Sequence, residues 1–382
     1  VDTYKTSTLY RRTALSWDDS AKLAAFIMPN EEIVSRFSHR VASAAEESVG
    51  FRLSTAFLRA ATICDAVGTY GIEYIEDPAS PITSVLENAD VVDTVRFPRT
   101  TLYYRSGDCD DSTALLCSLL ESAGIATAVM TSPGHVFFAF DTEEPAANAW
   151  QYSAGQCETI LHDGSVWIPV EATILDEGFF AAWKEASGDI SRYSGTDEIE
   201  FLPVRNCWEI YPSLPLPESA LTIIEPAPER VAARRNGSLA EVKSFLYREA
   251  LAELENEMAS AAGRTRAKKL NQAGILHARF GEDRRAEESF DEAMKIAPRS
   301  VSSYINMANL KLLQEKPREA LAYLEKGSEV RAGSIIINAL LAKTYYRIGK
   351  RQKARDYYQI VVDRSPEAAA SLAFIESSDG TA

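Results

Sequence analysis

The spacing of hydrophobic positions changes twice along the chain. Between Asn30 and Gly71 apolar residues recur at helical intervals, which predicts a helix over 33–47 and a second over 53–69 closed by Gly71. Residues 1–30 show no clean period and read as irregular or β, and residues 72–101, with Pro81 and Pro98, read as loops and short turns. An apolar helix is predicted over 112–123, with Leu115, Leu116, Leu119 and Leu120 on its buried face. Asp108 or its neighbour is placed to cap that helix, and Gly124 to end it in a left-handed turn. The period then falls to two. Strands are predicted over 125–130, 135–140, 158–161 and 166–172, with HDGS at 162–165 as a hairpin turn. Helices followed by an antiparallel meander predict an α+β fold.

The second change is a proline-rich stretch, PSLPLPESALTIIEPAPER, which reads as an extended linker over 212–238. Beyond it the chain turns to helical composition, with a helix expected over 239–261 and an array filling 239–382. That array repeats. Ala286, Ala320 and Ala354 are 34 residues apart, as are Gly274, Ala308 and Ala342, and Phe290, Leu324 and Tyr358. Gly281 and Gly349 lie at twice that spacing, and Pro298 and Pro366 close the first and third units. Small residues at fixed places let two helices approach, and the large position fills the gap between them. This resembles the tetratricopeptide repeat, a helix–turn–helix unit, with units at 267–300, 301–334 and 335–368. The second unit departs from the pattern at Glu315, where the others have Gly, and at Ala332, where they have Pro. The resemblance implies a surface that binds a protein partner; a rigid spacer or brace is the plainer alternative. The full division expected is a mainly helical N-terminal region (1–70), a core (71–211), the linker and the array.

Charge narrows the partners. The formal net charge is −15, which argues against nucleic acid and anionic membrane surfaces. No apolar run reaches the ~20 residues of a membrane span, so no transmembrane segment is expected. The five cysteines (64, 109, 117, 157 and 207) show neither a disulfide framework nor a CxxC pair.

One of them is oddly placed. In RSGDCDDSTALLCSLLESAGI, Cys109 lies between aspartates at the mouth of the apolar helix, whereas Cys117 lies within it. His135 opens a strand in SPGHVFFAFD, and Glu171 lies near the end of another in VWIPVEATI. If those strands are antiparallel, His135 and Glu171 meet at one edge of the sheet. A thiol at a helix N-terminus, an imidazole to take its proton and a carboxylate to hold the ring are the three parts of a thiol nucleophile. A thiolate–imidazolium pair is the expected resting form.

GDCDD, then GH opening a strand, then WIPVEAT, preceded by FPRTTLYYRSGDC, resembles the transglutaminase-like superfamily of papain-type cysteine enzymes over about 72–180. The resemblance implies a papain-like core with a helix packed on an antiparallel sheet, Cys109 as nucleophile, His135 as base and Glu171 as orienting acid. The family usually has Asp in the third place, and Glu171 is longer. It implies a polypeptide substrate, cleaved by water or transferred to an amine, and no cofactor. The backbone amide of Cys109 is one expected oxyanion donor, with Tyr103, Tyr104 and Trp167 as candidates for a second. A core that has lost turnover and holds a peptide is the alternative. Asp108, Asp110 and Asp111 read as first-turn acids on the helix dipole. They are also candidate metal ligands, although an EF-hand pattern fails at Thr113 and Leu119. The domain pairing looks bacterial, and a start at Val1 is compatible with export, so the periplasm is expected over the cytoplasm.

Overall fold

The computed structural model describes residues 12–43, 53–75, 93–152 and 157–376. The expected end of the first helix at Glu47 and the loop around Pro81 lie outside the described residues. The chain divides into two compact units that meet after Leu246, inside a helix running Pro228–Ser260. No helix of the described residues is long and apolar enough to cross a membrane.

The first unit is α+β. Its helices are α1 (Glu32–Ser43), α2 (Thr55–Tyr70), α3 (Pro98–Tyr104), α4 (Cys109–Ser122), α5 (Phe179–Arg192), α6 (Val204–Cys207) and the start of α7 (Pro228–Ser260). Two short pairs join β1 (Arg12–Leu15) to β3 (Asp93–Arg96) and β2 (Glu73–Tyr74) to β4 (Ser106–Gly107). The main sheet is antiparallel, in the order β7 (Ile160–His162), β8 (Ser165–Val170), β6 (His135–Pro145), β5 (Thr127–Ser132), β9 (Glu200–Pro203). The antiparallel strands expected from the sequence are present, but they do not form a meander: β6 pairs with β8, and β7 lies outside β8. β9, which adds to its far edge, was not expected. Asp163 and Gly164 both take positive φ (47° and 76°) between β7 and β8, the conformation a two-residue hairpin turn requires.

Both faces of β6 are covered. Phe140 packs on Phe57 of α2, which also touches Tyr152, Phe179 and Trp183. Phe137 and Ala139 pack with Met130, Trp167 and Ala186 on the opposite face. Each fully buried Phe contributes roughly 1.5–3 kcal/mol. α4 is the buried helix. Leu115, Leu116, Leu119 and Leu120 are sealed from solvent, and the chain leaves through Gly124 at φ 85°. Glu121 then accepts from the Thr127 N–H at 2.7 Å, fixing where β5 begins.

The first unit also takes in the proline-rich stretch and the start of α7. Leu214 N–H donates to Ala25 O at 2.9 Å, and Arg99 donates to Pro217 O at 2.8 Å. α7 begins at Pro228 rather than near Leu239, because Asp65 on α2 holds its first turns. That carboxylate accepts from Ser238 Oγ (2.9 Å) and from the Phe179 N–H (3.0 Å). Burial pushes Asp65 up to about 6.

The second unit is three consecutive helix pairs: α8 (Gly263–Arg279) with α9 (Asp283–Ile296), α10 (Val301–Leu313) with α11 (Pro317–Val330), and α12 (Ile335–Arg347) with α13 (Arg351–Arg364). α14 (Pro366–Ala370) follows. The spacing of small and large residues explains the pairing. A Cβ on Gly274 would sit 2.4 Å from the Phe290 ring, so Phe290 packs directly on the α8 backbone. Ala308, Leu324 and Ala342 are sealed in the adjoining core, with Tyr358 nearly so.

The turn inside each pair needs a left-handed residue. Gly281 and Gly349 supply it at φ 78° and 80°, while Glu315 is forced to φ 59° at the equivalent place. A non-glycine residue there costs roughly 1 kcal/mol. Glu315→Gly is therefore expected to raise the unfolding free energy by about that amount in a urea melt. An unchanged or lowered midpoint would mean that the Glu315 side chain offsets the strain.

Candidate active site

α4 starts at Cys109 because Asp108, in an extended conformation, caps it and accepts from the Asp111 N–H. Gly107 precedes the cap because a Cβ there would lie 2.7 Å from Asp111 Cβ. Asp111 in turn accepts from the Arg96 N–H and lies 3.5 Å from the Arg96 guanidinium, which ties β3 to the helix. Cys109 is 4% exposed. The first turn of α4 is fastened to the second residue of β6. Thr113 donates to the Val136 carbonyl at 3.4 Å. His135 is the next residue along.

β6 pairs with β8 through Phe138 and Val170. Continuing that register by one residue sets Glu171 opposite Phe137 and makes His135 its diagonal neighbour. Diagonal neighbours on antiparallel strands lie roughly 7–8 Å apart. A long side chain is needed to close that span, which gives a physical reason for Glu where the resemblance led one to expect Asp. His135 Nε2 and Glu171 Oε2 are 2.5 Å apart. The other oxygen of Glu171 accepts from the Thr173 N–H (2.9 Å) and hydroxyl (2.6 Å), and the Glu171 N–H donates to Ala182 O at 3.0 Å. The His135 ring stacks on Phe137, with centroids 5.9 Å apart and planes 13° off parallel.

The charges are unevenly arranged. Burial alone would raise Glu171, but its bond to His135 and the two from Thr173 hold it below its ordinary value. An ionised Glu171 makes Nε2–H a donor and leaves Nδ1 with the lone pair. Burial alone would lower His135, but Glu171, then Asp189 and Glu185, carry it above 6.5. Burial pushes the Cys109 thiol well up, and Asp110, Asp108 and Glu171 add to this against the Val136 amide. The thiolate–imidazolium pair expected from the sequence is therefore not favoured at rest; the thiol keeps its proton.

Asp110 and Asp111 lie in the first turn of α4, as expected, behind the cap Asp108, and all three are buried. Asp108 is 9%, Asp110 1% and Asp111 0% exposed, with carboxylate oxygens within 4.8 Å of one another. Burial and a hydrogen bond to Asp108 push Asp110 up. With Asp111 already beside Arg96, we assign the cluster no ion.

Asp189, in the last turn of α5, was not foreseen. Its carboxylate lies within 4.8 Å of a His135 ring nitrogen and of Glu171, and it accepts from Arg192 at 2.8 Å. Only the packing of α5 on the sheet brings it there, so no local signal marks it. Next to His135 and Val136 is a cleft of about 430 Å³, walled by Trp17, Ser132, Asp197, Glu198 and Glu200. Tyr103 and Tyr104 pack edge to face, nearly half exposed. Trp167 Nε1 is a buried donor with no hydrogen-bond partner.

No family model and no curated protein matches the chain. Solved structures that resemble part of it include the first TPR of Spaghetti (RPAP3) bound to HSP90 peptide SRMEEVD, at 16% identity over 30% of this chain and 94% of that one, TM-score 0.29. MamA is 15% identical over 37% of this chain and 81% of its own, TM-score 0.29. TTC0263, a thermophilic TPR protein in Thermus thermophilus, is 17% identical over 39% and 89%, TM-score 0.28. At these scores they bear on no residue of the site.

The chain has four histidines, so ring titrations can be followed individually by NMR. Glu171→Gln is expected to lower the His135 pKa, and Asp189→Asn to lower it by less, because each removes a negative charge that favours the imidazolium. A His135 titration that neither substitution moves would contradict the arrangement.

Proposed function

We propose that the first unit is a thiol-dependent amide hydrolase acting on polypeptide, with Cys109 as nucleophile, His135 as base and Glu171 as the residue that orients the ring. The observation carrying this reading is the 2.5 Å His135–Glu171 contact, one residue along β6 from Val136, whose carbonyl accepts from Thr113 of the helix that Cys109 opens. A buried carboxylate clamped by Thr173 and spent on one nitrogen of an imidazole is the support a general base requires.

The chemistry proceeds from a neutral thiol. As sulfur attacks the scissile carbonyl carbon, Nδ1 of His135 takes the thiol proton and the carbonyl π electrons move to oxygen. The tetrahedral species collapses, breaking the C–N bond, and the departing amine takes the proton from Nδ1. A thioester remains on Cys109. Water attacks it while Nδ1 accepts a water proton; collapse breaks the C–S bond, the acid departs and the thiolate is reprotonated. An amine in place of water would give crosslinking. Hydrolysis is the reading preferred, because nothing identifies a second channel for an amine. The raised thiol makes the Glu171-supported imidazolium more important: the stabilisation absent at rest is supplied when the proton moves.

A second reading, a core that holds peptide without turnover, is favoured by the burial of Cys109 and the carboxylates that raise its thiol. In either case the repeat unit serves to bind protein.

Turnover of a fluorogenic peptide pool separates the two. The hydrolase reading expects a rate that rises with pH through the His135 titration. It expects no turnover in Cys109→Ala and a loss of at least ~10²-fold in His135→Ala, the usual worth of a general base. Wild-type protein no faster than Cys109→Ala would leave the peptide-holding reading.

A further inference from the structure

We infer that His135, Glu171 and Asp189 form a site for a divalent cation of the Zn2+ class, and that the bound ion switches off the base. The switch rests on the hydrolase reading above; the site does not.

One donor atom from each of the three side chains lies within 4.8 Å of the other two. They come from the start of β6, the end of β8 and the last turn of α5. Their supporting bonds leave one oxygen of each carboxylate for an ion. Glu171 Oε1 is taken by the Thr173 N–H and hydroxyl at 2.9 and 2.6 Å, which turns Oε2 toward the ring. Asp189 Oδ1 is taken by Arg192 at 2.8 Å, which leaves Oδ2. Carboxylates fastened in this way have the outer support that orients metal ligands.

The donor set selects the ion. One imidazole and two carboxylates, with water completing the shell, suit Zn2+, whereas Mg2+ and Ca2+ prefer oxygen throughout. Ligands about 2.0–2.1 Å from a tetrahedral Zn2+ stand roughly 3.3 Å from each other. His135 Nε2 and Glu171 Oε2 are 2.5 Å apart, so a movement of less than about 1 Å admits the ion in place of the proton. A way in exists. The cleft beside His135 is walled by Asp197, Glu198 and Glu200, and no Lys or Arg lines it. A wall of one sign raises the local concentration of cations.

An ion on Nε2 changes what His135 can do. A neutral imidazole metallated at Nε2 carries its proton on Nδ1. Nδ1 is the atom that accepts the Cys109 proton in the proposed reaction, so ion and base exclude each other.

The test is isothermal titration of the full chain with ZnCl2 or MgCl2, in the wild type and in Cys109→Ala, alongside NMR of the histidine rings. Zn2+ should bind both chains at one site and move the His135 signals before those of His39, His162 and His277; Mg2+ should do neither. Asp189→Asn should weaken Zn2+ binding by at least the tenfold typical of a lost supporting residue, and Asp189→Glu should recover part of it. Neutralising the cleft wall with Asp197→Asn, Glu198→Gln and Glu200→Gln should cost less than Asp189→Asn does. Binding that survives in Asp189→Asn, falls equally in the wall variant or leaves His135 unmoved would overturn the site. Loss of binding in Cys109→Ala would overturn it too, because the ion would then sit on sulfur. Peptide turnover by the wild type should stop at saturating Zn2+ and return with EDTA. Turnover that Zn2+ leaves alone or raises would overturn the switch while the site stands. A wild type with no turnover in EDTA would sink the hydrolase reading and the switch with it, and the titration would still decide the site.

Discussion

The register of β6 against β8 is the constraint on which the candidate site depends. Pairing Phe138 with Val170 sets the side on which His135 and Glu171 emerge and how far apart they start. A slip of one residue would send both side chains to opposite faces. The register is fixed by burial: Phe137 and Ala139 on one face and Phe140 on the other leave no polar side to turn outward. The same strand places Val136, whose carbonyl accepts from Thr113 of α4. The aromatic core that stabilises the sheet thus also brings imidazole to carboxylate and sets their strand against the start of α4.

Electrostatically, the site is a thiol among acids. Asp108, Asp110 and Glu171 all oppose the thiolate, while Glu171, Asp189 and Glu185 all favour the imidazolium. These effects pull the two titrations the same way, upward. Such a site does not store a reactive anion; in the hydrolase proposed above it would lower the cost of moving a proton to His135 as a bond forms to sulfur.

Much of this was legible in residue order. Cys109, His135 and Glu171 lie at ends of elements, and those ends carry local signals: a capping aspartate, Gly134 before a strand, a strand closing in Glu-Ala-Thr. The helix pairs were legible because Gly274 and Phe290 recur in register as Ala308 with Leu324 and Ala342 with Tyr358. What was not legible depends on packing between distant segments. Asp189 reaches His135 only because α5 crosses the sheet. The aspartates of GDCDD are buried only because Arg96 comes down onto Asp111. β9 is four residues long and pairs at an edge, too short for its alternation to stand out. The early start of α7, through Asn236 and Gly237, reflects the hold of Asp65 on Ser238 rather than helix propensity.

The central claim is that sulfur of Cys109 carries the acyl group. The most direct measurement is acid quench of the protein during reaction with an activated peptide ester, followed by peptide-level mass spectrometry. The account predicts an acyl adduct on Cys109 that is cleared by hydroxylamine, is absent in Cys109→Ala and is much reduced in His135→Ala. Acylation spread equally over Cys64, Cys117, Cys157 and Cys207, or a Cys109 that stays unmodified while ester is consumed, would contradict it.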